Sequence, residues 1–108
     1  MMDEQEFRLR ADQALGALNS SLASASDEHD FEADYGGALT IEFEEPPAKF
    51  VISPNTPVRQ IWISAHSRSF KLDWSVEKGA FVLAETGQTL KEVVQEAIRK
   101  QLGEEVTL

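Results

Sequence analysis

Residues 27–34 crowd five carboxylates, Asp27, Glu28, Asp30, Glu32 and Asp34, and one imidazole, His29, into eight positions. Carboxylate oxygens with water suit hard cations, and an imidazole extends the range toward iron. Successive side chains on a strand point to opposite faces. A strand starting near Asp30 would place Asp30, Glu32 and Asp34 on one face and Phe31, Ala33 and Tyr35 on the other. Three carboxylates along one edge make a strong negative field. The spacing shows no ligand cage, so cation binding here would be open, multi-site, hydrated and weak to moderate. Asp3, Glu4, Glu6 and Asp12 add charge earlier in the chain. The alternative is that these acids only solvate a surface and stop a strand edge from pairing.

A second group suits recognition. Ile61 and Ile63 share one face of a short strand, and Gln60, Trp62 and Ser64 share the other. That second face is polar apart from the indole, so Trp62 is expected at the surface, where a large aromatic usually belongs to a contact. Lys71 and Asp73 are expected on the neighbouring strand, with Asn55 and Arg59 close in sequence. One aromatic among amides and charges is the composition of a protein contact. The alternative is that Trp62 packs on its own sheet, against the stem of Lys71. Trp74 and Phe81 alternate with polar residues and are expected to be structural.

Other chemistries find little support. Cysteine is absent, so there is no disulfide, thiol nucleophile or thiolate ligand, and no cluster held by Cys. The only histidines, His29 and His66, fall in expected loops, and no Ser/His/Asp set stands out. Gly36-Gly37 is not followed by a helix N-terminus and so is no phosphate cradle. Paired carboxylates for acid–base catalysis need a pocket, and no enzyme is expected. The formal charge is −9. Residues 1–45 hold twelve acids and two bases, whereas residues 46–108 hold seven acids and eight bases. No basic footprint for nucleic acid exists. The acidic half would attract cations or a basic protein surface in a salt-dependent way. No apolar run approaches the ~20 residues of a membrane span. The acidic start, Met1 to Glu6, is the reverse of a cationic leader, so a cytoplasmic protein is expected.

These groups need elements to hold them. Phe7, Ala11, Leu15, Leu18 and Leu22 recur at helical spacing and predict an amphipathic helix over about residues 3–24. Strands are expected at 31–35, 38–44, 49–53, 60–65, 69–74 and 80–85. A Gly36-Gly37 two-residue hairpin turn joins the first two. Pro46-Pro47 should break the run, and residues 54–57 should form a loop. Thr89 and Glu92 have capping-box spacing at the start of a last helix, and Gly103 follows its apolar stripe as a C-terminal cap. Val106 and Leu108 in the tail are expected to cover a core edge. Helices segregated from strands imply an α+β two-layer sandwich. Its antiparallel sheet of five to six strands would carry both helices on one face, in a single domain over residues 1–108.

Thr56-Pro57-Val58-Arg59-Gln60-Ile61-Trp62-Ile63-Ser64, followed by Phe70-Lys71-Leu72-Asp73-Trp74, resembles the sheet signature of the frataxin family. The resemblance runs nearly end to end. It takes in Phe7 and Ala11-Asp12, Gly36-Gly37-Ala38-Leu39-Thr40, and Gly87-Gln88-Thr89-Leu90. It implies the same sandwich and an accessory role in iron–sulfur cluster assembly. In that family, acids of the first helix and first strand edge bind iron, Fe(II) or Fe(III), at weak surface sites. The matching positions are Asp3, Glu4, Asp27, Glu28, Asp30, Glu32 and Asp34, less firmly Asp12, with His29 a further candidate ligand. The resemblance also implies that the sheet surface meets a cysteine desulfurase and an assembly scaffold protein. Asn55, Gln60, Trp62 and Lys71 occupy matching positions, and Arg59 and Ser64 adjoin them.

Two departures qualify this. Residues 19–26 hold no carboxylate, where the family usually carries several, so fewer iron sites and weaker docking on a basic partner are expected. Ser53-Pro54 replaces an Asn-containing pair, which puts that loop's contacts in question. The leading expectation is a monomeric, iron-binding accessory protein. The rivals are an iron-independent regulator of the desulfurase, a weakly iron-oxidising (ferroxidase-type) protein and an acidic inhibitor of a basic enzyme.

Overall fold

The computed structural model describes residues 2–108, with Met1 outside the described residues. A helix spans Glu4–Ala25 (α1). Asp3 caps it, its carboxylate accepting from the Glu6 backbone N–H at 2.7 Å. Phe7, Ala11, Leu15, Leu18, Leu22 and Ala25 form its buried stripe, spaced by three or four residues as helical geometry requires.

Six strands follow: Glu32–Gly36 (β1), Ala38–Glu44 (β2), Pro47–Asn55 (β3), Gln60–Ala65 (β4), Arg68–Ser75 (β5) and Ala80–Leu83 (β6). They make one sheet in sequence order, every neighbour antiparallel. A second helix, Leu90–Leu102 (α2), closes the fold. Inward residues of successive strands stand opposite one another: Leu39 with Ile52, Ile52 with Ile63, Ile61 with Leu72, Leu72 with Leu83. These residues and the buried stripes of both helices form one core, with Phe7 meeting Phe81 edge-on at 5.8 Å. The expected sandwich, with both helices on one face of a six-stranded sheet, is what the chain forms. No helix among the described residues is long and apolar enough to cross a membrane.

Several local expectations were wrong. Gly36 belongs to β1 and pairs with Ala38, leaving Gly37 alone at the turn with φ 81°. A two-residue turn would set Tyr35 opposite Ala38 and Glu32 opposite Ile41. Opposite residues share a face, so that register would mix the charged side of β1 with the apolar side of β2. The two alternations allow only an odd number of turn residues. The second correction is β3, which runs on through Pro54 and Asn55 instead of giving way to a loop. The last β2–β3 pair is Leu39 with Ile52, so near its end β3 is flanked by β4 alone, a local edge where a missing N–H is tolerated. Pro47 likewise opens β3 and does not interrupt it. A 3-10 turn, Thr56–Val58, leads to β4. β6 stops at Leu83, earlier than expected, because the Thr86 and Gly87 N–H groups fold back onto the Leu83 carbonyl.

The last helix carries its expected punctuation. Thr89 and Glu92 exchange both capping-box hydrogen bonds, and Gly103 caps the end at φ 68°. The tail then turns back along α2. Val106 is buried, its carbonyl accepting from Arg99 Nε at 2.9 Å, and the Leu108 N–H donates to Gln95 Oε1 at 2.9 Å.

Ile63→Ala is expected to cost about 3 kcal/mol and Thr89→Ala about 1 kcal/mol, both read from urea unfolding. Hydrogen bonds from the Thr89 backbone and side chain hold the exposed Glu92 carboxyl below its ordinary pKa. A depressed folded-state pKa gives stability that is present at neutral pH and lost as pH falls through the folded value. Glu92→Gln is therefore expected to make acid destabilisation shallower in a pH series of urea melts.

Candidate functional site

The outer face of the sheet presents side chains in ranks. Asn55, Gln60 and Asp73 make one rank across β3, β4 and β5, and Ser53, Trp62 and Lys71 make the next. Val51, Ser64 and Ser69 follow. Trp62 is 36% exposed, whereas Ile61 and Ile63 on either side are buried. The indole is held from two directions. Its Nε1–H donates to Gln60 Oε1 at 2.9 Å, and Gln60 Nε2 donates to Asp73 Oδ1 at 3.1 Å. Lys71 Nζ stands 4.8 Å from the ring centroid. A cation over an exposed ring contributes about 0.5–1 kcal/mol. Both sequence readings of Trp62 therefore hold together: the ring is exposed, and it packs against Lys71.

Asp73, expected with Lys71 on the strand beside Trp62, anchors this chain. The signal was its spacing, two residues past Lys71 and so on the same face. Ser53 lies beside Trp62, while Pro54 stands opposite the buried Ile61. Arg59 is turned away from the ranks. It takes a left-handed conformation, φ 55°, and its Nη1 donates back to the Thr56 carbonyl. It closes the 3-10 turn and lines a recess with Glu6, Asp73 and Trp74.

The acidic residues divide into two groups. Asp30, Glu32 and Asp34 are exposed at the β1 edge, and Asp27 and Glu28 at the C-terminal end of α1. That helix end carries partial negative charge and has no basic residue in its last turn to offset it. Glu32 stands opposite Glu42, and Glu42 opposite Lys49. Asp30, Glu32, Glu42 and Glu44 line a recess of about 540 Å³. Glu42 and Glu44 were missed as candidates, because only the hairpin register brings β2 carboxylates beside those of β1. His29 borders the same recess, but its side chain is only 13% exposed and its Nδ1 faces Glu104 Oε1 at 3.6 Å.

Asp3 and Glu4 stand apart from this group. They lie at the other end of a 22-residue helix, which spans about 33 Å. Asp3 is engaged as the cap, and Glu4 lies 3.7 Å from Arg8. Asp12 sits between the two groups beside Tyr35. Partial burial, and then the Asp12 charge, raise the Tyr35 pKa. Among the described residues, no three His, Asp or Glu side chains converge to hold a metal ion. The arrangement offers a negative field along an edge and no ready-made ligand cage among the described residues.

Comparison with known proteins agrees with this fold. The frataxin-like domain matches residues 1–104. The "Iron-sulfur cluster assembly protein CyaY" of Dechloromonas aromatica is 33% identical over 73 residues, 68% of this chain and 69% of its own. The protein of that name from Pseudomonas aeruginosa is 30% identical over 108 residues, 97% of this chain and 95% of its own. Among solved structures, a frataxin of the CyaY family from Psychromonas ingrahamii superposes with a TM-score of 0.84 at 25% identity. That match covers 98% of this chain and 97% of the other. With a sheet signature at residues 56–74, a shared sandwich, and a domain match that runs nearly the length of the chain, this protein belongs to the frataxin-like family.

Proposed function

We propose that this protein is an accessory factor of iron–sulfur cluster assembly, acting as a cytoplasmic monomer on the cysteine desulfurase and its scaffold. The names of its relatives support the assembly role. The observation that carries the docking mode is the Trp62 indole, exposed yet braced by Gln60, Asp73 and Lys71. A ring already fixed in place loses little freedom on binding, as suits an anchor residue. The β1–β2 carboxylates supply the second element. They attract hydrated Fe(II) or Fe(III), or basic side chains of the partner, and weak open sites suit a factor that senses or passes on iron.

A second reading, iron-independent regulation, draws support from the dispersal of the carboxylates. Asp3 and Glu4 are engaged at the far end of α1, and no three ligands converge among the described residues. An anaerobic Fe(II) titration followed by backbone NMR separates the two. The iron reading expects perturbation of residues 27–34 and 42–44 at up to millimolar metal, with residues 3–4 affected less. Silence there would leave the regulator reading standing. An iron-oxidising role requires oxygen uptake on iron addition that is lost when Asp30→Asn is combined with Glu32→Gln.

Trp62→Arg is expected to leave the urea midpoint nearly unchanged, with stability altered by less than about 1 kcal/mol. It is expected to weaken capture of the desulfurase–scaffold complex by about thirtyfold or more. Unchanged capture would remove the sheet face from the proposed interface.

A further inference from the structure

A groove of about 440 Å³ lies on the helical side of the sandwich, away from both surfaces already described. α1 forms one wall with Ala14, Ala17 and Leu18. Phe81 and Trp74 form the floor, and Leu90 at the start of α2 forms the far wall. The groove stays open because α1 presents alanines here, while the returning tail reaches only as far as Gln95 on α2. Its size and mainly apolar lining are those of small-ligand sites.

The charged residues that line it are Arg10 and Lys91, both cationic, in a protein whose formal charge is −9. Arg10 lies 5.1 Å from the Trp74 ring centroid. Its Nε is cut off from solvent and lacks a hydrogen-bond partner, the Glu6 carboxylate lying 3.8 Å away. The Arg10 side chain as a whole is 42% exposed, so the rest of its guanidinium is open to a carboxylate entering the groove, where a charge-assisted hydrogen bond is stronger than a neutral one.

We propose that this groove binds a small amphipathic carboxylate, with its apolar body against Leu18, Phe81 and Leu90 and its acid group on Arg10 or Lys91. Glu6 competes for Arg10, so the ligand displaces a long intramolecular pairing in favour of a direct one. The occupant is a soluble monomeric acid. A membrane surface is disfavoured, because it would meet the excess negative charge of the whole chain.

Decanoate is the probe. In a Trp62→Phe background, Trp74 is the remaining tryptophan and reports on the groove floor by fluorescence. Decanoate is expected to shift Trp74 emission saturably and to perturb the amides of Ala14, Ala17, Phe81 and Leu90. Decanol should bind at least about tenfold more weakly, since a hydrogen bond to a charged group is lost. Arg10→Met, which keeps a long side chain over Trp74, should weaken decanoate by about tenfold without altering decanol. Glu6→Gln should tighten decanoate binding. Ala17→Leu, a helix-compatible change that fills the groove, should abolish both responses while helical circular dichroism is retained. Equal binding of decanoate and decanol, saturation with Ala17→Leu, or amide shifts confined to other surfaces would overturn the proposal. So would the absence of any response at millimolar decanoate. None of these outcomes depends on whether the Trp62 face binds the assembly machinery.

Discussion

A strand has two faces, and two helices can seal only one of them. Every outward residue here owes its position to that limit. Five antiparallel pairings carry one phase across the sheet, inward opposite inward from Tyr35 to Leu83. A one-residue slip anywhere would turn a whole strand over. At β4 it would bury Trp62 and expose Ile61 and Ile63, forfeiting burial of about 2 kcal/mol for each isoleucine. The exposure of the indole is thus imposed by its aliphatic neighbours. The polar bracing from Gln60 and Asp73 is what makes the exposed ring tolerable, because its N–H is satisfied and its edge is covered.

The same constraint shapes the acidic edge. A sheet of six strands has two edges. At one of them, β6 is partly covered by the bridge between Val82 and Thr89 and by the Gln88 carbonyl on Leu83 N–H. β1 is the other edge, and charge protects it. Glu32 opposite Glu42 is a like-charge pair that costs stability, offset on one side by Lys49. The carboxylates that protect the edge are the ones proposed to attract cations, so the two readings of residues 27–34 are compatible. A hydrated cation would relieve the repulsion that the edge maintains.

Features set by local periodicity were legible in the sequence. The stripe of α1, the alternation of β2 and β4, and the Thr89–Glu92 box each lie within a few residues and need no knowledge of the rest of the chain. Features that depend on two segments at once were not. The single-residue turn at Gly37 follows only when the alternations of β1 and β2 are combined. The place of Pro54 within β3 depends on where β2 stops. Glu42 and Glu44 join the acidic edge through register. The separation of Asp3 and Glu4 from residues 27–34, by contrast, was already implicit in the helix expected over residues 3–24. The groove at Arg10 assembles parts of α1, β5, β6 and α2, and no single window of sequence contains it.

The two outer surfaces are close but electrostatically distinct. The nearer acidic strand, β2, is two strand spacings from β4, about 10 Å, and Lys49 opposite Glu42 stands four residues along β3 from Ser53 opposite Trp62, about 13 Å, a combined offset that exceeds a Debye length of roughly 8–10 Å at physiological salt. The strand between the acidic edge and Trp62 that faces both is β3, and its outward residues are Lys49, Val51 and Ser53. They add one positive charge and otherwise no net field. The negative potential of the edge is therefore largely screened where the indole stands. In the proposed docking mode, a partner that spanned the sheet would meet two independent contacts: a long-range one that steers approach and fades with salt, and a short-range aromatic one that persists. Such a division would let the edge exchange cations, or lose them, without disturbing the geometry of the ring.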